Sequence, residues 1–169
     1  MPNILSDKDL TSGFTLIEIL VVVSIMLFLV SGAIAAYSTL NQKQTLVSAG
    51  QTIKNVLRDA QSRAFTGEKA QCATAGLTLK GWDVDFTAKT IYAECTSSSV
   101  PTPIPFSLSP KITLSANPAV LLFTSFPKGA NSTDTICLSS SDLTGLFYKI
   151  NVDISGNISD SNILYSSCP

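Results

Sequence analysis

Glu18 stands where a charge is expensive. It is the only charged side chain between Phe14 and Gln42, in a stretch made mostly of Val, Ile, Leu, Ala and Phe. A carboxylate inside hydrocarbon costs at least ~2.5 kcal/mol unless it is paired. Its natural chemistry there is to hold a cation, such as an ammonium, as an ion-pair partner. The alternative is an interfacial carboxylate on the first turn of a helix, where the helix dipole favours it. The other reactive side chains are four cysteines, Cys72, Cys95, Cys137 and Cys168, all beyond residue 70. No two lie within four residues, so no zinc-type CxxC pair exists. An even number suits two disulfides in an oxidising compartment. Three pairings can be drawn, and proximity along the chain favours Cys72–Cys95 with Cys137–Cys168. Free thiols in a reducing cytoplasm are the alternative. Histidine is absent, which removes the commonest general base and metal ligand. Ser, Asp and Lys residues show no nucleophile–base spacing. The chain is read as a non-enzyme with no cofactor and no metal. Asp83 and Asp85 alternate with Val84 and so share a strand face, where two solvated carboxylates are expected rather than a metal site. The net charge of −1 gives no electrostatic reason for a nucleic-acid partner.

These residues need elements to position them. The chain has 169 residues, of which only 14% are charged. That length suits one modest domain, and the low charge makes a membrane segment worth seeking. Residues 19–40 carry no charge, which exceeds the ~18 residues of a spanning helix. Ser31, Gly32, Ala33, Ala35 and Ala36 give that run small faces on which helices approach closely. Beyond Asn41 the helical spacing continues. Leu46, Gly50, Ile53, Leu57, Ala60 and Ala64 recur at three- and four-residue steps, with Lys43, Lys54, Arg58 and Arg63 elsewhere. No proline interrupts residues 14–66, and Gly67 is placed to stop the helix. One helix over 14–66 would be roughly 80 Å long, so its second half must pack on something outside a bilayer. From about residue 71 the sequence turns Ser-, Thr- and Pro-rich, with short β-type runs at 77–79, 82–86, 91–95, 111–115, 119–124, 135–139 and 146–154. Turns are expected at 80–81, 87–89, 127–129 and 155–157, and a loop at 97–105. Ile150, Val152 and Ile154 alternate with Lys149, Asn151 and Asp153, the period of a strand with one covered face.

The run Gly13-Phe14-Thr15-Leu16-Ile17-Glu18, followed by a long apolar helix, resembles the processing site of type IV prepilins and pseudopilins. The resemblance covers roughly residues 8–40. It implies cleavage by prepilin peptidase between Gly13 and Phe14. Phe14 then becomes the N-methylated first residue, and Glu18 becomes the fifth. A glycine before the cut suits a backbone that must enter a protease site extended. The new ammonium of Phe14 on a neighbouring subunit is then the cation that Glu18 lacks in its own chain, and the pair sets axial register in a filament. The chain departs from the family pattern in three ways. Ser12 replaces a basic residue before Gly13, no proline interrupts the apolar helix, and Lys8 is the one cation ahead of Gly13, against Lys43, Lys54 and Arg58 beyond it. The positive-inside rule alone points to the opposite orientation; the motif and the cysteines outweigh it.

The succession over roughly residues 105–160 is similar to the H-type minor pseudopilins and related minor type IV pilins. The matching pieces are Phe123 to Gly129, Ile136 to Leu138, and Ile150 to Ile158. A generic antiparallel sheet can produce the same alternation. Together these resemblances imply an α+β, pilin-like fold: one long N-terminal helix, half transmembrane and half amphipathic, packed on an antiparallel sheet. The expected organisation is a leader over 1–13, an assembly helix over 14–41, and a periplasmic or extracellular domain over 42–169. The implied role is a structural subunit of a type IV pilus or type II secretion pseudopilus. It starts as a single-pass inner-membrane protein with its leader in the cytoplasm. The implied partners are prepilin peptidase, other pilin or pseudopilin subunits, an inner-membrane assembly platform and membrane lipid. A second reading is a membrane-anchored, exported module that binds DNA or a secreted substrate. Removing Asp7, Lys8 and Asp9 takes the net charge from −1 to 0, which is poor support for DNA contact.

Overall fold

A computed structural model describes residues 13–73, 76–96 and 102–168, except the side chains of 32–36, 70–71 and 161–162. The expected leader up to residue 12, the side chains of the small residues at 32–36 and residues 97–101 of the expected loop lie outside this description. The chain divides into two compact units, Met1–Thr39 and Leu40–Pro169. Helix α1, Leu16–Thr66, runs through the boundary.

In the first unit the large apolar side chains from Phe14 to Val30 are 45% to 82% exposed. Two hydroxyls in this stretch bond back to their own helix: Ser24 Oγ donates to the Leu20 carbonyl at 2.8 Å and Ser31 Oγ to that of Phe28 at 2.9 Å. Such back-bonding satisfies a polar group without water. Among the described residues no helix is long and apolar enough to cross a membrane.

In the second unit the helical stripe reads as its spacing demands. Leu46, Ile53, Leu57, Ala60 and Ala64 are fully buried, and Gly50 is buried with them. The helix ends at Gly67, whose φ of 68° only glycine adopts without strain. The Gly67 N–H bonds to the Ala64 carbonyl at 3.1 Å and the Glu68 N–H to that of Arg63 at 2.9 Å. This is the paired closure of a Schellman motif. A four-residue helix, α2 at Ala70–Ala73, follows.

Two antiparallel sheets form where one was expected. The first comprises β1 (Leu79–Asp85), β2 (Thr90–Cys95), β3 (Ile104–Pro105), β5 (Val120–Thr124) and β6 (Gly129–Ala130), in the order β3-β2-β1-β5-β6. The second comprises β4 (Ile112–Asn117), β7 (Asp134–Ser140), β8 (Leu143–Val152) and β9 (Ile158–Tyr165), in the order β4-β7-β8-β9. Both inner faces join the helix stripe in one core. The first sheet supplies Trp82, Val84, Ile91, Leu121 and Phe123, and the second supplies Ile136, Leu138, Tyr148, Ile150 and Val152. The architecture is therefore α+β, with a long helix packed on antiparallel sheets.

The differences from the sequence expectation have local causes. The expected turn at Lys80-Gly81 is strand, with a register shift between Leu79 and Gly81. The Phe123 carbonyl occupies the space a Cβ at Gly81 would need, so glycine marks a close strand approach and not a turn. Strand β8 ends at Val152, so Ile154 leaves the sheet and is 67% exposed. The turn near Pro127 occupies 125–128, and Gly129 already begins β6. Strands β3 and β9 have no counterpart among the expected elements.

Candidate functional site

At the N-terminal motif the local sequence builds its own helix start. Thr15 precedes the first helical residue. Its carbonyl accepts the N–H of Glu18 at 3.1 Å and of Ile19 at 3.3 Å, and its Oγ1 also accepts the Glu18 N–H at 3.3 Å. Thr15 is thus an N-cap, and Thr-x-x-Glu is the sequence form of a capping box. Glu18 sits in the first turn, where the helix dipole favours a carboxylate. Gly13 has open space around it, with no atom within 4 Å of a notional Cβ, and Phe14 is 78% exposed. The Gly13–Phe14 peptide bond therefore lies ahead of the helix, and among the described residues nothing crowds Gly13. The four-residue capping signal was present in the sequence, although the resemblance drew attention to Glu18 for another reason.

The cysteines pair Cys72 with Cys95 and Cys137 with Cys168, at Cα separations of 5.7 and 6.3 Å. Among the described residues none is free. The first bridge ties α2 to β2. Beside it, Trp82 Nε1 donates to the Glu68 carbonyl at 2.9 Å, and the Arg63 guanidinium lies 5.1 Å from the Trp82 ring.

Asp83 and Asp85 do not behave as a solvated pair. Asp83 is only 6% exposed, because β1 lies between β2 and β5 with Tyr92 and Leu122 opposite it. Burial pushes its carboxyl up to about 7, with the charges of Glu94 and Asp85 adding to the effect and Lys80 opposing it. Asp85 instead accepts the backbone N–H groups of Thr87 at 2.8 Å and Ala88 at 2.7 Å, which closes the β1–β2 turn. Among the described residues no group of three or more potential ligands could hold a metal.

The most connected polar cluster escaped the sequence. Lys54, placed on the solvent or neighbour side of the helix by its spacing, is ion-paired with Asp160 of β9, and their side chains are 13% and 3% exposed. The Tyr148 hydroxyl donates to Asp160, and Gln51 Nε2 donates to the Tyr148 oxygen at 3.0 Å. Burial alone would raise the Asp160 carboxyl. Hydrogen bonds from Lys54 and Tyr148 and the charges of Lys54 and Arg58 outweigh it, and the net shift is downward. The Tyr148 phenol is pushed up by burial and by Asp160. The cluster bolts the helix to the second sheet.

No protein-family model matches the chain, and no characterised protein and no solved structure matches it.

Proposed function

We propose that the chain is a structural subunit, a minor pilin or pseudopilin, of a type IV pilus or type II secretion pseudopilus. Prepilin peptidase removes residues 1–13 and methylates Phe14. The segment 14–41 holds the subunit in the inner membrane and later packs among neighbouring subunits, while the domain from about residue 42 stays outside. The observation that carries this reading is the bare apolar helix segment at 14–30, set directly behind Gly13-Phe14 and holding one carboxylate. An apolar surface of that extent needs lipid or other subunits to cover it. The two disulfides fit a domain outside the cytoplasm.

Mass spectrometry of the mature amino terminus is the direct test. The expected species begins with N-methylated Phe14, and an intact leader or a cut at any other bond overturns the assignment. Glu18→Ala is expected to remain membrane-inserted but to enter filaments poorly. Unchanged incorporation of that variant would remove Glu18 from the role of setting register.

A further inference from the structure

We propose that the free edge of β4 takes up an extended segment of a separate polypeptide, one with small apolar side chains and a carboxylate, by strand addition. This inference does not rest on the pilin reading. Strand β4 is the outermost strand of its sheet and pairs on one side with β7. The Ser141 N–H donates to the Lys111 carbonyl at 3.0 Å, which fixes the phase of that ladder. Alternation then turns the main-chain groups of Thr113 and Ser115 toward β7 and those of Leu114 and Ala116 away from it. Among the described residues nothing pairs with the outward groups of Leu114 or Ala116.

Natural sheet edges are usually protected by a charge, a proline, a bulge or very short length. Strand β4 has six residues, Ile-Thr-Leu-Ser-Ala-Asn, and pairs with β7 without a register shift. The outer strands of the first sheet, β3 and β6, have only two residues each, and the other outer strand of the second sheet, β9, pairs with β8 through a register shift. Beside β4 lies a groove of about 530 Å³ between Ile112–Ala116 and the β1–β2 turn, with Phe86, Thr87 and Lys89 on the far wall. The stretch along it spans five residues, roughly 17 Å of strand. Among the described residues Lys89 is the one cation lining the groove and has no ion-pair partner. Its backbone is fixed in the left-handed region at φ 56°, and its carbonyl accepts the Phe106 N–H at 2.9 Å. Unpaired edge groups supply main-chain recognition, the half-buried Leu114 and Ala116 side chains suit small apolar neighbours, and Lys89 selects a carboxylate. This is the logic of β-augmentation.

The test uses the full chain in detergent micelles. The probe is a seven-residue peptide of alternating valine and threonine with a central glutamate, compared with its lysine counterpart. At saturating glutamate peptide, amide exchange at Leu114 and Ala116 is expected to slow about tenfold or more, with little change at Thr113 and Ser115, and the lysine peptide is expected to bind about fivefold more weakly. Ala116→Pro removes an outward donor and leaves the β7 ladder intact, so it is expected to weaken binding about tenfold. Lys89→Glu, an exposed change that leaves the strand untouched, is expected to reverse the preference between the two peptides. Four results each overturn the proposal: no protection at Leu114 and Ala116, equal binding by a folded Ala116→Pro variant, an unchanged preference in Lys89→Glu, or protection that depends on protein concentration without peptide. The last result would mean that copies pair through β4 with each other.

Discussion

Gly50 lies in the middle of α1, where intrinsic propensity says that alanine should be better. Glycine inside a helix costs about 0.5–1 kcal/mol relative to alanine, so Gly50→Ala on a free helix would stabilise by that amount. In the folded domain the Cβ would fall on ring carbons of Tyr148. That ring cannot give way cheaply, because Tyr148 is fully buried and its hydroxyl is engaged by Asp160 and Gln51. Forcing an extra carbon into such a contact typically costs about 1–3 kcal/mol, and the held hydroxyl puts this site in the upper half of that range. The net expectation is a loss of about 1–2 kcal/mol. Urea unfolding of the full chain in micelles, followed by the fluorescence of the single Trp82, measures it directly. The decisive comparison is the same substitution in a Tyr148→Ala background. With the ring gone, propensity alone remains, and Gly50→Ala should stabilise by about 0.5–1 kcal/mol. A higher midpoint for Gly50→Ala in the native background refutes the reasoning.

Lys54→Ala strands the carboxylate of Asp160 in its buried site and should destabilise by about 3 kcal/mol, read as a shift in the urea midpoint. The folded pKa of Asp160 is depressed, so its contribution is complete above the ordinary carboxylate value and is lost as pH falls through the lowered one, below about pH 4. Asp83 has the opposite sign. Its folded value is raised to about 7, so the folded state binds the extra proton and stability falls as pH rises from about 4 to about 7, then levels off. Unfolding curves across that range should show the slope, and Asp83→Asn should flatten it. Replacing Cys137 and Cys168 by serine removes a bridge with a sequence separation of 31 and should cost about 2–4 kcal/mol, whereas an unchanged midpoint would mean the bridge does not constrain the unfolded chain.

What could be read from the sequence followed from periodicity. The stripe from Leu46 to Ala64 was legible because a helix face buried against sheets must repeat every three or four residues. Most of β8 was legible for the parallel reason at period two, and most of β1, β2, β4, β5 and β7 from their β-type composition. The division into two sheets was not, since it depends on which strands pair and not on what each contains. Strand β9 was missed because Ser159, Asp160, Ser161 and Asn162 carry no apolar alternation, and its pairing is imposed by β8. Asp83 looked solvated because its pattern says which face it lies on but not how closely the neighbouring strands crowd it. The Lys54–Asp160 pair spans 106 positions, a distance over which no local rule connects two charges. At the helix start, by contrast, Thr15 and Glu18 lie three residues apart, so the capping contact between them was implicit in their order.

The helix seam has a consequence under load. Between Leu46 and Glu68 the helix is gripped by Tyr148 against Gly50, by the Lys54–Asp160 bolt, by Gln61 donating to the Gly156 carbonyl at 2.5 Å, and by Trp82 holding the Glu68 carbonyl. A tension applied along the helix loads these grips together in shear and does not peel them one after another, so the rupture rate is set by one collective barrier. If that barrier is crossed, Cys72–Cys95 lies just beyond the helix end. The backbone already joins the helix to the domain, and the bridge anchors that connection at Cys72, ahead of β1, so the freed helix end stays within a few residues of the core and re-docking has a short loop to close.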